Sequence, residues 1–137
     1  ITEGLVGSEM CIRDSMSSRD IEGQNPLYLP QAKTYDGCAS LGPCIYVPQN
    51  PLEEPLEIHL SIERAGSIVF QESISTDQMK RKPQELVDYL FRECSFPKGA
   101  FLMTGTGIVP PLDFSLDVGD IISIEIEKIG ILINHVN

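Results

Sequence analysis

Residues 56–63 alternate apolar and polar side chains without a break, which strongly restricts what this stretch can form. Leucine or isoleucine stands at every even position, and glutamate, histidine or serine stands at every odd position. Because successive side chains of a β-strand point to opposite faces, the pattern predicts a strand with one buried face. Residues 64–66 (Arg-Ala-Gly) then predict a turn, and residues 67–72 predict the returning strand of a β-hairpin.

The second half of the chain favours further strands. Residues 100–104 and 121–127 are short apolar runs, and residues 129–136 are expected to pair back with 121–127 through a turn near Lys128. Residues 83–92 form the one stretch with helical periodicity, and they begin with a proline that suits a first helical turn. Strands outnumber helices, so we predict a mainly β (α+β) fold with antiparallel pairing.

Residues 16–55 are interrupted by six prolines and three glycines, which predict loops and turns. Only residues 43–47 have the character of a strand here. A long irregular segment inside a compact domain usually lines a functional site or wraps a neighbour. We therefore expect residues 16–55 to do one or the other.

Charge and cysteine content limit the classes of function. The chain has 137 residues, which suits one domain, and 20 acidic against 10 basic residues give a net charge of -10. That balance argues against nucleic acid and anionic membranes as partners, and no apolar run approaches the length of a membrane helix. The four cysteines form no Cys-x-x-Cys pair, so we predict free thiols in a reducing cytoplasm and no zinc site.

Residues 1–15 differ from the rest of the chain. They begin with isoleucine and show neither helical nor strand periodicity. The stretch GLVGSEMCIRDS resembles the translated read-through of a sequencing adapter. We expect residues 1–15 to lie outside the fold, residues 16–137 to be the genuine domain, and the chain to be a fragment.

Few side chains suggest catalysis from their type and spacing alone. His59 lies on the polar face of the alternating strand and His135 lies near the end of the last strand, so both are expected at the surface. Residues 104–107 (Thr-Gly-Thr-Gly) follow an apolar run and form either a simple turn or a cradle for a carboxylate. Lys33 is the only basic residue between Arg19 and Arg64; it is either solvated or holds a substrate carboxylate or carbonyl as a point charge.

Six short motifs occur in an order that is informative as a series. They are SSRDIEG (17–23), LPQAKTYD (29–36), LGP (41–43), MTGT (103–106), VGD (118–120) and GILINHV (130–136). The series resembles the C-terminal half of the fumarylacetoacetate hydrolase superfamily. Residues 25–33 (NPLYLPQAK) resemble its 2-keto-3-deoxy-pentonate branch, the arabinonate and xylonate dehydratases.

The resemblance implies a mixed β-sandwich or roll that forms a homodimer and uses a divalent metal, commonly magnesium. The substrate is a small 2-oxo acid, and the metal stabilises the enolate formed when the neighbouring carbon loses a proton. In the dehydratase branch, loss of hydroxide then leads to 2-oxoglutarate semialdehyde.

The resemblance also assigns residues to this site. Lys33 matches the active-site lysine and Arg19 matches a pocket arginine, although Arg19 could instead form a structural ion pair. Thr106, with Gly105, matches the position that contacts the substrate carboxylate, and Glu22 matches another pocket position.

The sequence departs from the family pattern at the metal site. The family binds its metal through an upstream Glu-x-Glu pair, which this chain lacks, and through an aspartate just before the Ser-x-Arg-Asp motif. Ser15 occupies that aspartate position, and Asp14 is one residue out of register. Because a hard cation needs several oxygen ligands, we expect this chain to bind magnesium weakly and to be inactive by itself.

Two alternatives remain open at this point. The same fold could carry a C–C bond hydrolase of the fumarylacetoacetate or acylpyruvate type. The missing metal ligands would also suit a non-catalytic β-domain that binds or assembles.

Overall fold

Six β-strands and three α-helices make up the described part of the computed structural model, which covers residues 10–50 and 54–137. The strands are β1 (Met10–Ser15), β2 (Ala39–Tyr46), β3 (Glu57–Arg64), β4 (Ser67–Ser75), β5 (Ile121–Ile126) and β6 (Gly130–His135). The helices are α1 (Arg19–Gln24), α2 (Leu29–Ala32) and α3 (Pro83–Phe91), with 3-10 turns at Pro26–Tyr28 and Thr76–Gln78. The predicted mainly β (α+β) class is confirmed. No helix in these two ranges is long and apolar enough to span a membrane.

A four-stranded antiparallel sheet in the order β4-β3-β5-β6 forms the centre of the fold. The predicted alternation of β3 sets its register, because Ile58 lies opposite Ile126 and Ile62 lies opposite Ile122. Ile62 is only 3% exposed, whereas His59 on the other face is exposed and contacts Ser73 through a 2.6 Å hydrogen bond. The hairpin from β3 to β4 is therefore confirmed, with one face of β3 in the core.

A two-stranded antiparallel sheet of β1 and β2 packs against β5 and β6. Its Ile12 is 1% exposed and joins a core cluster with Leu56, Ile126, Ile129 and Leu132. Burial of such aliphatic side chains is the main driving force that holds the two sheets together.

The approach of β2 to β6 is unusually close at two glycines. A Cβ atom at Gly42 would lie 3.2 Å from Cδ1 of Leu132, and one at Gly130 would lie 3.2 Å from Cγ of Pro43. Gly130 also has a φ of +120°, a conformation that other L-residues rarely adopt. At these two points the absence of a side chain on glycine allows Leu132 and Pro43 to pack closely against the opposite strand.

The structure includes part of the segment that the sequence interpretation set aside. Residues 10–15 form β1, because they pair with β2 and bury Ile12 in the core. Residues 1–9 lie outside the described residues. The origin of residues 1–15 in a sequencing adapter, and the domain boundary at residue 16, remain predictions.

Two segments differ from their predicted secondary structure. The proline-rich stretch 16–50 is more regular than expected, because it contains α1, α2 and the eight residues of β2. The predicted strand at 100–104 is wrong, since the structure assigns these residues no regular element. This apolar run finds no pairing strand, and Phe101 remains 54% exposed. A short apolar run lacks the periodicity that would distinguish a strand from a loop.

Candidate functional site

Two segments that are distant in sequence meet beside the end of β1. The amide of Met16 donates to the carbonyl of Cys38 over 2.8 Å, and the amide of Ser18 donates to the carbonyl of Ala32 over 2.9 Å. Ala32 is completely buried, which anchors the end of α2 against the fold. These contacts bring Lys33 next to Ser17.

Lys33 follows directly after α2 and carries the site's positive charge. Its amide donates to the carbonyl of Pro30 over 3.3 Å, and its carbonyl accepts a 3.2 Å hydrogen bond from Sγ of Cys38. The side chain is exposed, and its Nζ donates a hydrogen bond to Oγ of Ser17. An ammonium that is fixed at its base and open to solvent can bind an anionic or carbonyl oxygen.

Arg19 begins α1 and reaches the loop that precedes β5. Its Nη1 donates to the carbonyl of Pro111 over 2.7 Å, and its Nη2 donates to the carbonyl of Pro110 over 3.2 Å. In the part of the chain that the structure describes, no carboxylate forms an ion pair with Arg19. Arg19 therefore links α1 to the loop that also contains Thr106.

Thr106 and Gly105 lie in an exposed turn. Oγ1 of Thr106 accepts a 3.1 Å hydrogen bond from the amide of Ile108 and donates a 3.2 Å hydrogen bond to the carbonyl of the same residue. Gly105 has a φ of +90°, which suits glycine in a turn. Within the described residues, no hydrogen bond joins this turn to Lys33. The local geometry is that of a turn stabilised by the hydroxyl of Thr106, in a residue that is exposed as a whole.

Glu22 lies in α1, and its side chain is exposed. Its backbone amide donates to the carbonyl of Ser18 over 3.0 Å as part of the first helical turn. Its carboxylate forms no hydrogen bond to another described side chain. Glu22 thus shares the segment that contains Ser17 and Arg19, and its carboxylate remains accessible.

Asp14 and Ser15 occupy the last two positions of β1. Asp14 accepts a 2.8 Å hydrogen bond from Nδ2 of Asn134 on β6, and burial raises the pKa of its carboxyl above the usual value. Because neighbouring side chains of a strand point to opposite faces, Asp14 is directed away from the face of Ser15. Asp14 therefore does not present its carboxylate on the face of Ser15, the position where the resemblance implies a metal-binding aspartate.

The described residues alone do not fit a magnesium site. Nowhere in residues 10–50 and 54–137 do three His, Cys, Asp or Glu side chains gather closely enough to hold a metal ion. A magnesium ion bound by protein needs carboxylate oxygens in a near-octahedral arrangement. The carboxylate of Asp14, the residue next to Ser15, already accepts a hydrogen bond from Asn134.

The sequence interpretation missed two features that the structure shows. One is the contact of Ser17 with Lys33, which depends on the pairing of residues 16–18 with 32–38. The other is Asp120, the only buried charged residue in the described ranges, which Arg64 binds. Asp120 belongs to the motif VGD, but no pattern in the sequence shows that its carboxylate is buried.

The fold and the sequence together define the class. The chain belongs to the fumarylacetoacetate hydrolase family, whose C-terminal domain matches residues 7–137. It is 46% identical over 127 residues to a probable 2-keto-3-deoxyxylonate dehydratase of Haloferax volcanii, covering 91% of this chain and 44% of that protein. It is also 46% identical over 127 residues to the 2-dehydro-3-deoxy-D-arabinonate dehydratase of Saccharolobus solfataricus, covering 91% of this chain and 42% of that protein.

A solved structure shows the same relationship in three dimensions. A 2-keto-3-deoxy-D-arabinonate dehydratase complexed with magnesium and 2,5-dioxopentanoate superimposes with a TM-score of 0.86 at 45% identity. The match covers 93% of this chain and 46% of that one. The resemblance deduced from the ordered motifs is confirmed, and the chain spans less than half the length of the curated relatives it matches.

Proposed function

We propose that this chain is the C-terminal part of a metal-dependent dehydratase that acts on 2-keto-3-deoxy sugar acids. The observation that carries the proposal is 46% identity, over 91% of the chain, to two dehydratases of this substrate class. The reaction would remove one water from a 2-keto-3-deoxy-pentonate and leave 2,5-dioxopentanoate, which is 2-oxoglutarate semialdehyde. Carbon 3, beside the 2-oxo group, would lose a proton and carbon 4 its hydroxyl, which gives a 3-enoate. Carbon 5 would then lose a proton and carbon 3 regain one, and the resulting C4–C5 enol would tautomerise to the aldehyde of 2,5-dioxopentanoate.

The residues of this chain suit substrate binding and orientation. The exposed ammonium of Lys33 would bind the carboxylate or 2-oxo oxygen of the substrate, and holding the substrate in one orientation is itself a large part of catalysis. The hydroxyl of Thr106 and the amide of Gly105 would contact the substrate carboxylate. Glu22 would line the pocket, and Arg19, which holds the loop before β5, would keep Thr106 in place.

Magnesium or another divalent ion would belong to the complete enzyme. Its support is the relative whose structure contains magnesium with 2,5-dioxopentanoate. The carboxylate ligands would come from outside the described residues, because these offer no metal-binding group of three. In the complete enzyme the ion would supply positive charge beside the 2-oxo acid.

The complete protein would work as a homodimer in the cytoplasm. All four cysteines are free thiols in the structure, which suits a reducing compartment. Large apolar side chains such as Leu27 and Leu112 are mostly exposed, which suits faces that are covered in an assembly. Sedimentation of the complete protein would test the dimer.

The test is to extend residues 16–137 upstream along the reading frame of the source genome and to assay the extended protein with magnesium. We expect 2-keto-3-deoxy-xylonate or 2-keto-3-deoxy-arabinonate to yield 2,5-dioxopentanoate. No turnover of either substrate would refute the proposal. Release of pyruvate from an acylpyruvate would instead identify a C–C bond hydrolase, and an upstream frame without a Glu-x-Glu pair would favour the non-catalytic β-domain.

A further inference from the structure

We infer that Ser17 is a positioning residue that holds the ammonium of Lys33 in the orientation used to bind the substrate. The inference rests on the proposed function, because it assigns Ser17 a part in the site of Lys33. Its starting observation is the hydrogen bond from Nζ of Lys33 to Oγ of Ser17.

The backbone fixes both partners of this contact. Ser17 lies between two hydrogen-bonded amides, those of Met16 and Ser18, which bind the carbonyls of Cys38 and Ala32. Lys33 is the residue after Ala32, whose side chain is completely buried. The distance between the backbones of Ser17 and Lys33 is therefore set by the fold, and the side chains span a fixed gap.

A lysine side chain has a flexible four-carbon stem and samples many conformations when its ammonium is not bound. Lys33 is exposed, so packing alone does not restrict its ammonium. Ser17 is a half-buried residue, and its hydroxyl supplies the acceptor for the ammonium. One of the three N–H donors of Lys33 binds Ser17, and the other two remain for a ligand.

A hydroxyl is a better partner here than a carboxylate would be. A carboxylate beside Lys33 would offset its charge and weaken its attraction for an anionic substrate. Across the described residues, no carboxylate forms an ion pair with Lys33. Ser17 thus restrains the ammonium and leaves its full charge for the substrate.

The adjacent Ser18 provides a matched control. It occupies the residue before α1, but its hydroxyl makes no capping hydrogen bond. Its backbone amide, which binds Ala32, is unchanged by substitution of the side chain. Ser18→Ala removes the same atom as Ser17→Ala, one residue away and without the contact to Lys33.

The first experiment compares steady-state kinetics in the upstream-extended enzyme. We expect Ser17→Ala to lower kcat/KM on the order of tenfold, chiefly through a higher KM. Ser17→Thr should restore it to within about twofold, and Ser18→Ala should not change it. Lys33→Met tests the proposed function separately, because activity that survives it would remove Lys33 from the site. Equal kinetics for Ser17→Ala and Ser18→Ala would overturn the positioning role.

A second measurement does not depend on turnover. NMR relaxation of the Lys33 side chain in the 137-residue chain should show increased motion in Ser17→Ala and no change in Ser18→Ala. If Ser17→Ala fails to fold, Ser17→Cys replaces the hydroxyl with a much weaker acceptor and should increase the motion likewise. Unchanged motion in the folded Ser17 variant overturns the inference, whatever the activity of the extended enzyme.

Discussion

Arg64 holds the buried carboxylate of Asp120 with two parallel hydrogen bonds, Nε to Oδ1 and Nη2 to Oδ2, each 2.8 Å long. The amide of Asp117 donates a further 2.9 Å hydrogen bond to Oδ2, and Arg64 also forms a 2.7 Å ion pair with Asp117. The arrangement ties the end of β3 to the turn that leads into β5. The hydrogen bonds from Arg64, together with that from Asp117, hold the pKa of Asp120 at about 2.

Substitution of Arg64 by lysine should destabilise the fold, because lysine cannot reproduce the two parallel hydrogen bonds to Asp120. The carboxylate of Asp120 would then lose part of the hydrogen bonding that offsets the cost of burying its charge. We expect the melting temperature in thermal unfolding to fall by about 5 °C or more. Arg81→Lys, at an exposed position before α3, is the control and should leave the melting temperature unchanged. Equal melting temperatures for the two variants would contradict the prediction.

The same contact predicts how stability depends on pH. The folded pKa of Asp120 is about 2, below its ordinary value of 3.8, so the unfolded chain binds this proton first as the pH falls. The stabilisation from ionised Asp120 is fully present above pH 4 and is lost as the pH approaches 2. Urea unfolding should show wild type and Asp120→Asn converging over this window. A stability difference that stays constant from pH 6 to pH 2.5 would show that Asp120 contributes no such dependence.

Ile12→Ala tests whether β1 belongs to the core. Because Ile12 is 1% exposed, the substitution should cost about 2–5 kcal/mol of the free energy of unfolding. Ile45→Ala, at a site that is 57% exposed in β2, should change it by less than about 1 kcal/mol. Chemical denaturation measures both. If Ile12→Ala costs no more than the control, residues 10–15 lie outside the fold, as the sequence interpretation expected.

Magnesium should bind the 137-residue chain weakly, with a Kd above about 1 mM, because the described residues provide no group of three ligands. Calorimetry on the isolated chain checks this, and micromolar binding would contradict it. In the 137-residue chain, Ser15→Asp adds a carboxylate at the position where the resemblance implies a metal ligand, and it should increase this weak affinity for magnesium. Asp14→Asn is the matched control, since Asp14 is bound to Asn134 on β6, and it should have no such effect.

The sequence predicted most of the sheet because its pattern was periodic where pairing was regular. Strict alternation identified β3 and its hairpin, and the apolar runs identified β5 and β6. Residues 100–104 have a similar composition but no alternation, and only the availability of a neighbouring strand could decide their structure. Likewise α1 and α2 are short helices among prolines, and their local sequence does not distinguish them from turns.

The candidate site was predictable in its residues but not in its contacts. The order of the motifs identified Lys33, Arg19 and Thr106 through a family resemblance. The partner of Lys33 depends on hydrogen bonds between segments about 16 residues apart, which no local pattern encodes. The contacts of Arg19 are backbone carbonyls, so the sequence offers no complementary side chain that could have indicated them.

The close approach of β2 and β6 has a consequence for how this domain can vary. A Cβ atom at Gly42 or Gly130 would require Leu132 or Pro43 to shift by a few tenths of an ångström, and Leu132 is part of the core. In a saturation mutagenesis library selected for folding, Gly130, whose φ of +120° also disfavours other residues, should be more restricted than Gly42. Substitutions in β2 and β6 should therefore depend on each other. A recombinant that takes the two strands from different parents would have to match them as a pair.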